Sequence, residues 1–86
     1  AYFMSKKKMD LNANLSLSKI FEQLKKEFAA YPMNDVDGLK IDFENEWVHL
    51  RSSNTEPIMR IYTEAKTQAA ADALADKIIQ LILKIQ

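Results

Sequence analysis

Two hydrophobic rhythms share this chain of 86 residues. Upstream, Ile20, Phe21, Leu24 and Phe28 recur at three- and four-residue intervals, the spacing of one face of an α-helix. Lys19, Gln23, Lys25, Lys26 and Glu27 fill the other side as an ordinary solvated face, so the two phenylalanines are expected in the core. Ser16 or Ser18 can cap this helix, Glu22 lies near its positive end, and Pro32 is expected to stop it. A second helix should begin at a Thr67 cap, with Ala70, Leu74, Ile78, Leu81, Ile82 and Ile85 as its inward stripe. Ile79 and Leu83 widen that stripe, which implies either a deep core position, the favoured reading, or contact with another domain.

Between the helices the period drops to two. Leu39, Ile41 and Phe43 alternate with Lys40, Asp42 and Glu44; Val48 and Leu50 alternate with Trp47, His49 and Arg51; Met59 and Ile61 alternate with Arg60, Tyr62 and Glu64. These are three strands of a meander with one buried and one wet face. Glu44-Asn45-Glu46 makes the first tight connection, and Asn34 to Gly38 reads as the turn leading in, with the chain's single glycine where a positive φ is useful. On this register Arg51 and Arg60 project together from the wet face. The stretch Tyr2–Leu11 fits a short strand or a linker end, with a linker running into a strand as the favoured reading and a solvated basic tail as the bland one, so a folded core is expected from Leu15 onward. The predicted fold is α+β: two helices on one face of an antiparallel sheet, in the order β-α-β-β-β-α with the first strand left open.

Composition narrows the functional classes. One domain of this size builds a single modest core. Lysine plus arginine equals aspartate plus glutamate, so no global field gathers nucleic acid or an anionic membrane, and any anion specificity must be local. The absence of cysteine removes disulfides, thiolate metal sites and a cysteine nucleophile. Apolar runs fall well short of the roughly 20 residues that span a bilayer, and residues 1–8 are not ordered like a signal peptide. A cytoplasmic address is the default expectation, and a start without methionine suggests a piece of something longer.

The chemistry concentrates in Arg51-Ser52-Ser53-Asn54-Thr55-Glu56-Pro57, a polar loop between two strands. A guanidinium can give a phosphate two parallel hydrogen bonds, while hydroxyl, amide and turn N–H groups donate to its other oxygens. Arg51 would make the main charge-assisted contact, on the order of 1.5 to 3 kcal/mol. Ser53, Asn54 and Thr55 can donate beside it, Glu56 more naturally points away, and Pro57 stiffens the exit. Arg60 could add a second charge, with pairing to Glu64 or Glu44 as its rival role. A plain polar hairpin loop with an arginine at its base is the bland alternative. His49 lacks a nameable catalytic partner, and Trp47 and Tyr62 suit cross-strand packing better than a stacking platform.

With Asp37-Gly38-Leu39-Lys40-Ile41 upstream and Ile58 to Ala65 downstream, this loop resembles the C-terminal, fourth domain of the α-D-phosphohexomutases, the phosphomannomutase/phosphoglucomutase family. The resemblance runs from about Val36 to Leu83 and leans towards the phosphomannomutase/phosphoglucomutase branch. It implies a TATA-binding-protein-like two-layer fold, with residues 1–11 as an interdomain connection or short strand and residues 12–86 as the phosphate-binding domain. It also implies a phosphate-binding role for Arg51, Ser53, Asn54 and Thr55; many relatives carry glycine at the Asn54 position, and asparagine tolerates the left-handed conformation that glycine would supply. The whole enzyme would interconvert hexose 1-phosphate and 6-phosphate through a phosphoserine and a bisphosphate intermediate, using Mg2+. No motif for the phosphoserine, the Mg2+ ligands or the sugar-recognition loop occurs in this chain, so it is expected to hold no catalytic residue, metal ligand or cofactor and to show no turnover alone. Its partners would be a phosphosugar and the preceding domains, with millimolar or weaker phosphate affinity. Two other classes compete. A module binding nucleic acid on the open sheet face is opposed by zero net charge and only two clear aromatics there. A protein-interaction domain would use Trp47, Tyr62, Ile79 and Leu83.

Overall fold

The computed structural model describes residues 1–85. Five strands form one antiparallel sheet in the order β1-β5-β4-β3-β2: β1 Phe3–Asp10, β2 Met33–Asn34, β3 Leu39–Asp42, β4 Trp47–Ser52 and β5 Ile58–Ala65. Helices α1 Leu17–Glu27 and α2 Gln68–Leu83 contribute to one core on one face. The α+β two-layer reading therefore holds, with one more strand than the sequence announced.

The open question at the chain start is resolved in favour of a strand. Phe3–Asp10 pairs with β5 over its whole length, from Phe3 opposite Ala65 to Asp10 opposite Ile58. Its odd positions turn towards the helices: Ser5 is buried opposite Thr63, and Lys7 reaches Asp76 on α2 at 2.9 Å. Met9 packs against the core. This alternation was hidden because a serine and a lysine occupy inward positions; Ser5 is small, and Lys7 extends its alkyl stem to bring its charge to the rim. Lysines on this edge strand also discourage a further strand from pairing with it.

Other boundaries shift. Helix α1 is capped by the Ser16 hydroxyl, which accepts from the Lys19 N–H at 3.2 Å, and it ends at Glu27 with Phe28 as its C-cap, before Pro32 is reached. Pro32 instead lends its carbonyl to the Asp42 N–H at 2.9 Å, extending the pairing that makes Met33–Asn34 a short edge strand where only a turn was expected. Phe43 lies just beyond β3, within an edge-to-face group in which its ring centroid is 5.3 Å from Phe28 and 4.9 Å from Tyr31.

Thr67 caps α2 through a 3.0 Å bond from the Ala70 N–H. The buried stripe is Ala71, Leu74, Ala75, Ile78 and Ile82, so Ala71 replaces the expected Ala70. Small side chains let α2 approach β1 and β5 closely, and Leu81 and Ile85 are left only partly buried. Leu39, Ile41, Val48, Leu50, Met59 and Ile61 supply the sheet's side of the core, each fully buried as their alternation predicts. No described helix is long and apolar enough to cross a membrane.

Candidate anion site at the β4–β5 turn

Strand β4 runs one residue further than the sequence pattern suggested, with Ser52 paired to Met59, which leaves Ser53–Pro57 as the connecting loop. The loop is closed by its own side chains. The Ser53 hydroxyl accepts from the Thr55 N–H at 3.3 Å and lies 3.5 Å from the Thr55 hydroxyl, while the Ser53 N–H donates to the Ile58 carbonyl at 3.1 Å. Such serine-centred turns gather polar atoms at a strand end without help from another element. The Ile58 N–H donates to the Glu56 carbonyl at 2.8 Å, and Leu11 donates its N–H to the Pro57 carbonyl at 2.6 Å, tying the loop to the end of β1. Asn54 stands exposed at the tip. Positive φ occurs at Gly38 alone among the described residues, so Asn54 is not in the left-handed conformation its tolerance had suggested.

At the base of this loop, Arg51 and Arg60 sit directly opposite each other, and Arg60 in turn is opposite Lys8. The same parity places all three on the face away from the helices. Like charges facing across strands cost stability, on the order of 0.2–1 kcal/mol per pair, so this row is cationic despite its sheet energetics. Neither Arg60 nor Lys8 forms an ion pair among the described residues, which removes the expected rival pairing of Arg60 with Glu64 or Glu44.

Arg51 does have a partner. One of its terminal nitrogens, Nη2, lies 3.2 Å from Oδ2 of Asp37, in an exposed pair. Asp37 is fixed at its other end too: its carbonyl lies 2.6 Å from Nε2 of His49. A carbonyl only accepts, so Nε2 is the donor in this bond. His49 thus holds the Asp37 turn through this bond. The next residue, Gly38, has φ +70°, and a Cβ there would run into the carbonyl oxygen of Leu50, so the Asp37–Gly38 turn is pressed against β4 immediately before Arg51. The role of Asp37 was not read from the sequence, although its position before the lone glycine was the available signal. Lys8 was missed because its register depends on β1.

Trp47 on this face is occupied locally. Lys40 places its ammonium 5.0 Å from the Trp47 ring centroid and pairs with Asp42 at 3.5 Å, so Trp47 packs with its neighbours. A cavity of about 560 Å³ lies at the far end of the sheet between the Phe43–Glu46 turn and α2, away from Arg51. Among the described residues, no group of three or more histidines and carboxylates is placed to hold a metal ion.

A helix-backed antiparallel sheet that presents an arginine and a hydroxyl-rich turn at one end defines the chain as a two-layer α+β domain. The chain belongs to the phosphoglucomutase/phosphomannomutase family, as its C-terminal domain: the sequence profile of that domain matches residues 7–81. It is 35% identical over 72 residues to a probable phosphoglucosamine mutase of Pyrococcus horikoshii, covering 84% of this chain and 16% of that protein. It is 34% identical over 80 residues to a phosphoglucomutase/phosphomannomutase of Thermococcus kodakarensis, covering 93% and 17%. A solved phosphoglucomutase/phosphomannomutase family protein from Burkholderia thailandensis superposes with a TM-score of 0.67 at 25% identity, over 98% of this chain and 18% of that one. The chain therefore spans about a sixth of the length of the curated relatives it matches.

Proposed function

We propose that the β4–β5 turn grips the phosphate of a phosphosugar, and that the chain serves as the substrate-phosphate-binding domain of an isomerase of the phosphohexomutase type. The observation that carries this reading is the placement of Arg51, with Arg60 beside it, at the base of the Ser53–Thr55 turn on the open sheet face. In this reading Arg51 makes the charge-assisted contact, Ser53, Asn54 and Thr55 donate to the remaining oxygens, and Arg60 adds attraction without a fixed bond. Family membership supports it, because the matched relatives carry mutase names.

The parent enzyme would move a phosphoryl group between the 1 and 6 positions of a hexose through a phosphoserine and a bisphosphate intermediate. This domain would hold the phosphate that does not react. Binding energy gathered there orients the sugar so that the distant oxygen is in line, which is how a non-reacting group raises the rate of a chemical step. The serine and the Mg2+ that the family resemblance implies would lie in other domains of the parent.

The test is titration of the 15N-labelled chain with glucose 1-phosphate and mannose 6-phosphate, against sulfate and unphosphorylated sugar. Saturable shifts at the amides of Arg51, Ser53, Asn54 and Thr55, lost in Arg51→Ala, are expected with millimolar or weaker affinity. Shifts elsewhere, or none at tens of millimolar, would overturn the assignment of the turn.

A further inference from the structure

We infer that Asp37 is the resident counter-ion of this anion site: its carboxylate competes with phosphate for the Arg51 guanidinium and must be displaced when a phosphate monoester binds. The inference rests on the phosphate-binding reading and adds to it the residue that sets how tightly the anion is held. In the Lys8–Arg60–Arg51 row, Arg51 alone has an acidic partner among the described residues.

The geometry delivers this carboxylate deliberately to Arg51. Gly38 presses its turn against Leu50, and the Asp37 carbonyl is held by His49 at 2.6 Å, so the backbone position of Asp37 does not depend on its side chain. The carboxylate then reaches Nη2 of Arg51 at 3.2 Å. A bidentate grip on phosphate needs two N–H groups from the fork, and a carboxylate sharing that fork both occupies a donor and repels the incoming anion. With the side chains of Arg51 and Asp37 49% and 68% exposed, the pair is water-screened and belongs to the class that contributes little to folding. It is thus weak enough to be exchanged, which suits a site whose ligand must both bind and leave.

The experiment is a titration of the labelled wild-type chain, Asp37→Asn and Arg51→Ala with inorganic phosphate and with glucose 1-phosphate, with Asp37→Ser as a second variant lacking the carboxylate. Both Asp37 variants should bind about two- to fivefold more tightly than wild type, the range corresponding to loss of one exposed ion pair. Before phosphate is added, the Arg51 Nε–H resonance should differ between wild type and Asp37→Asn, and the two should converge at saturation. If affinity falls or stays unchanged in the Asp37 variants while loop shifts in wild type still require Arg51, the clamp stands and the competing role of Asp37 is overturned. If neither wild type nor Asp37→Asn shows saturable loop shifts, both readings fall.

Discussion

Gly38 packs its Cα against the carbonyl oxygen of Leu50 while adopting φ +70°. Both conditions exclude a side chain: the left-handed conformation disfavours any Cβ, and the obstructing atom is main chain in the middle of the sheet and moves only with β4. Gly38→Ala should therefore destabilise the domain by about 2–4 kcal/mol, more than a strained turn alone would cost. Urea unfolding measures this directly. A loss below about 1 kcal/mol would mean that the turn can move away from β4, and the placement of Asp37 on Arg51 would then lack its backbone support.

Thr63 offers a contrasting case, because its role is polar and buried. Its side chain is fully buried opposite Ser5, and its hydroxyl donates to the Ala71 carbonyl at 2.7 Å, fastening β5 to the first turns of α2. Thr63→Val keeps the shape and removes the donor, and should cost about 0.5–1.5 kcal/mol by chemical denaturation. Thr63→Ala should cost more, because it also opens a small cavity.

Much of this domain could be read from residue spacing. The period-two runs placed Leu39, Ile41, Val48, Leu50, Met59 and Ile61 inward, and each is buried. The same parity put Arg51 and Arg60 on one face, where they are direct cross-strand partners. Strand β1 was obscured because Lys7 and Ser5 occupy inward positions, and β2 because two residues are too few to show a period. The Asp37–Arg51 pair joins residues 14 positions apart, and the contact exists only because Gly38 folds its turn onto β4. Periodicity reports which face a residue occupies; it does not report which turn lies across that face.

Arg60 is a test of the cationic row. Facing Arg51 on one side and Lys8 on the other, with no acidic partner among the described residues, it holds a position that sheet energetics disfavour. Arg60→Gln should leave the fold intact and raise stability by about 0.2–1 kcal/mol at low ionic strength. The gain should shrink as salt is added, since screening relieves the same repulsion. Phosphate affinity should fall in the same variant. An Arg60→Gln domain of lower stability would show that the arginine stem packs usefully, and the repulsion argument would fail.

The exposed pair between Lys25 and Asp35 sets a pH response on the acid side. Lys25 donates a 2.8 Å hydrogen bond to Asp35, and that bond, with the lysine's charge, holds the carboxyl below its ordinary value of 3.8. A depressed folded pKa means that the unfolded chain takes up this proton first. The contribution to stability is complete above the unfolded value and fades as pH falls through the folded one. Side-chain NMR titration should place the Asp35 midpoint below 3.8, and Lys25→Gln should return it upwards. Lys7 should respond with the opposite sign: its bond to Asp76 raises its pKa above 10.5, so that tie is complete at neutral pH and is lost only as pH rises through the folded value.

Removing β1 tests whether it is a structural strand or a dispensable connection. Its residues are hydrogen-bonded to β5 from Phe3 to Asp10, Ser5 is buried beside Thr63, and Met9 packs against the core. Lys7 reaches the middle of α2 through Asp76, and the Gln68 side chain in its first turn donates to the Met4 carbonyl at 2.9 Å, so the N-terminal half of α2 leans on this strand. Deleting residues 1–10 would strip one side of β5 of its partners and expose buried surface on β5 and α2. A domain of this size has on the order of 5 kcal/mol in hand, less than the loss of this edge strand, paired over eight residues and packed against α2, removes. The truncated chain should therefore be largely unfolded at 25 °C, with collapsed amide dispersion. If it instead unfolds cooperatively with most of the parent stability, the core begins near Leu15 as the hydrophobic pattern suggested, and β1 is an attached strand that the domain does not need.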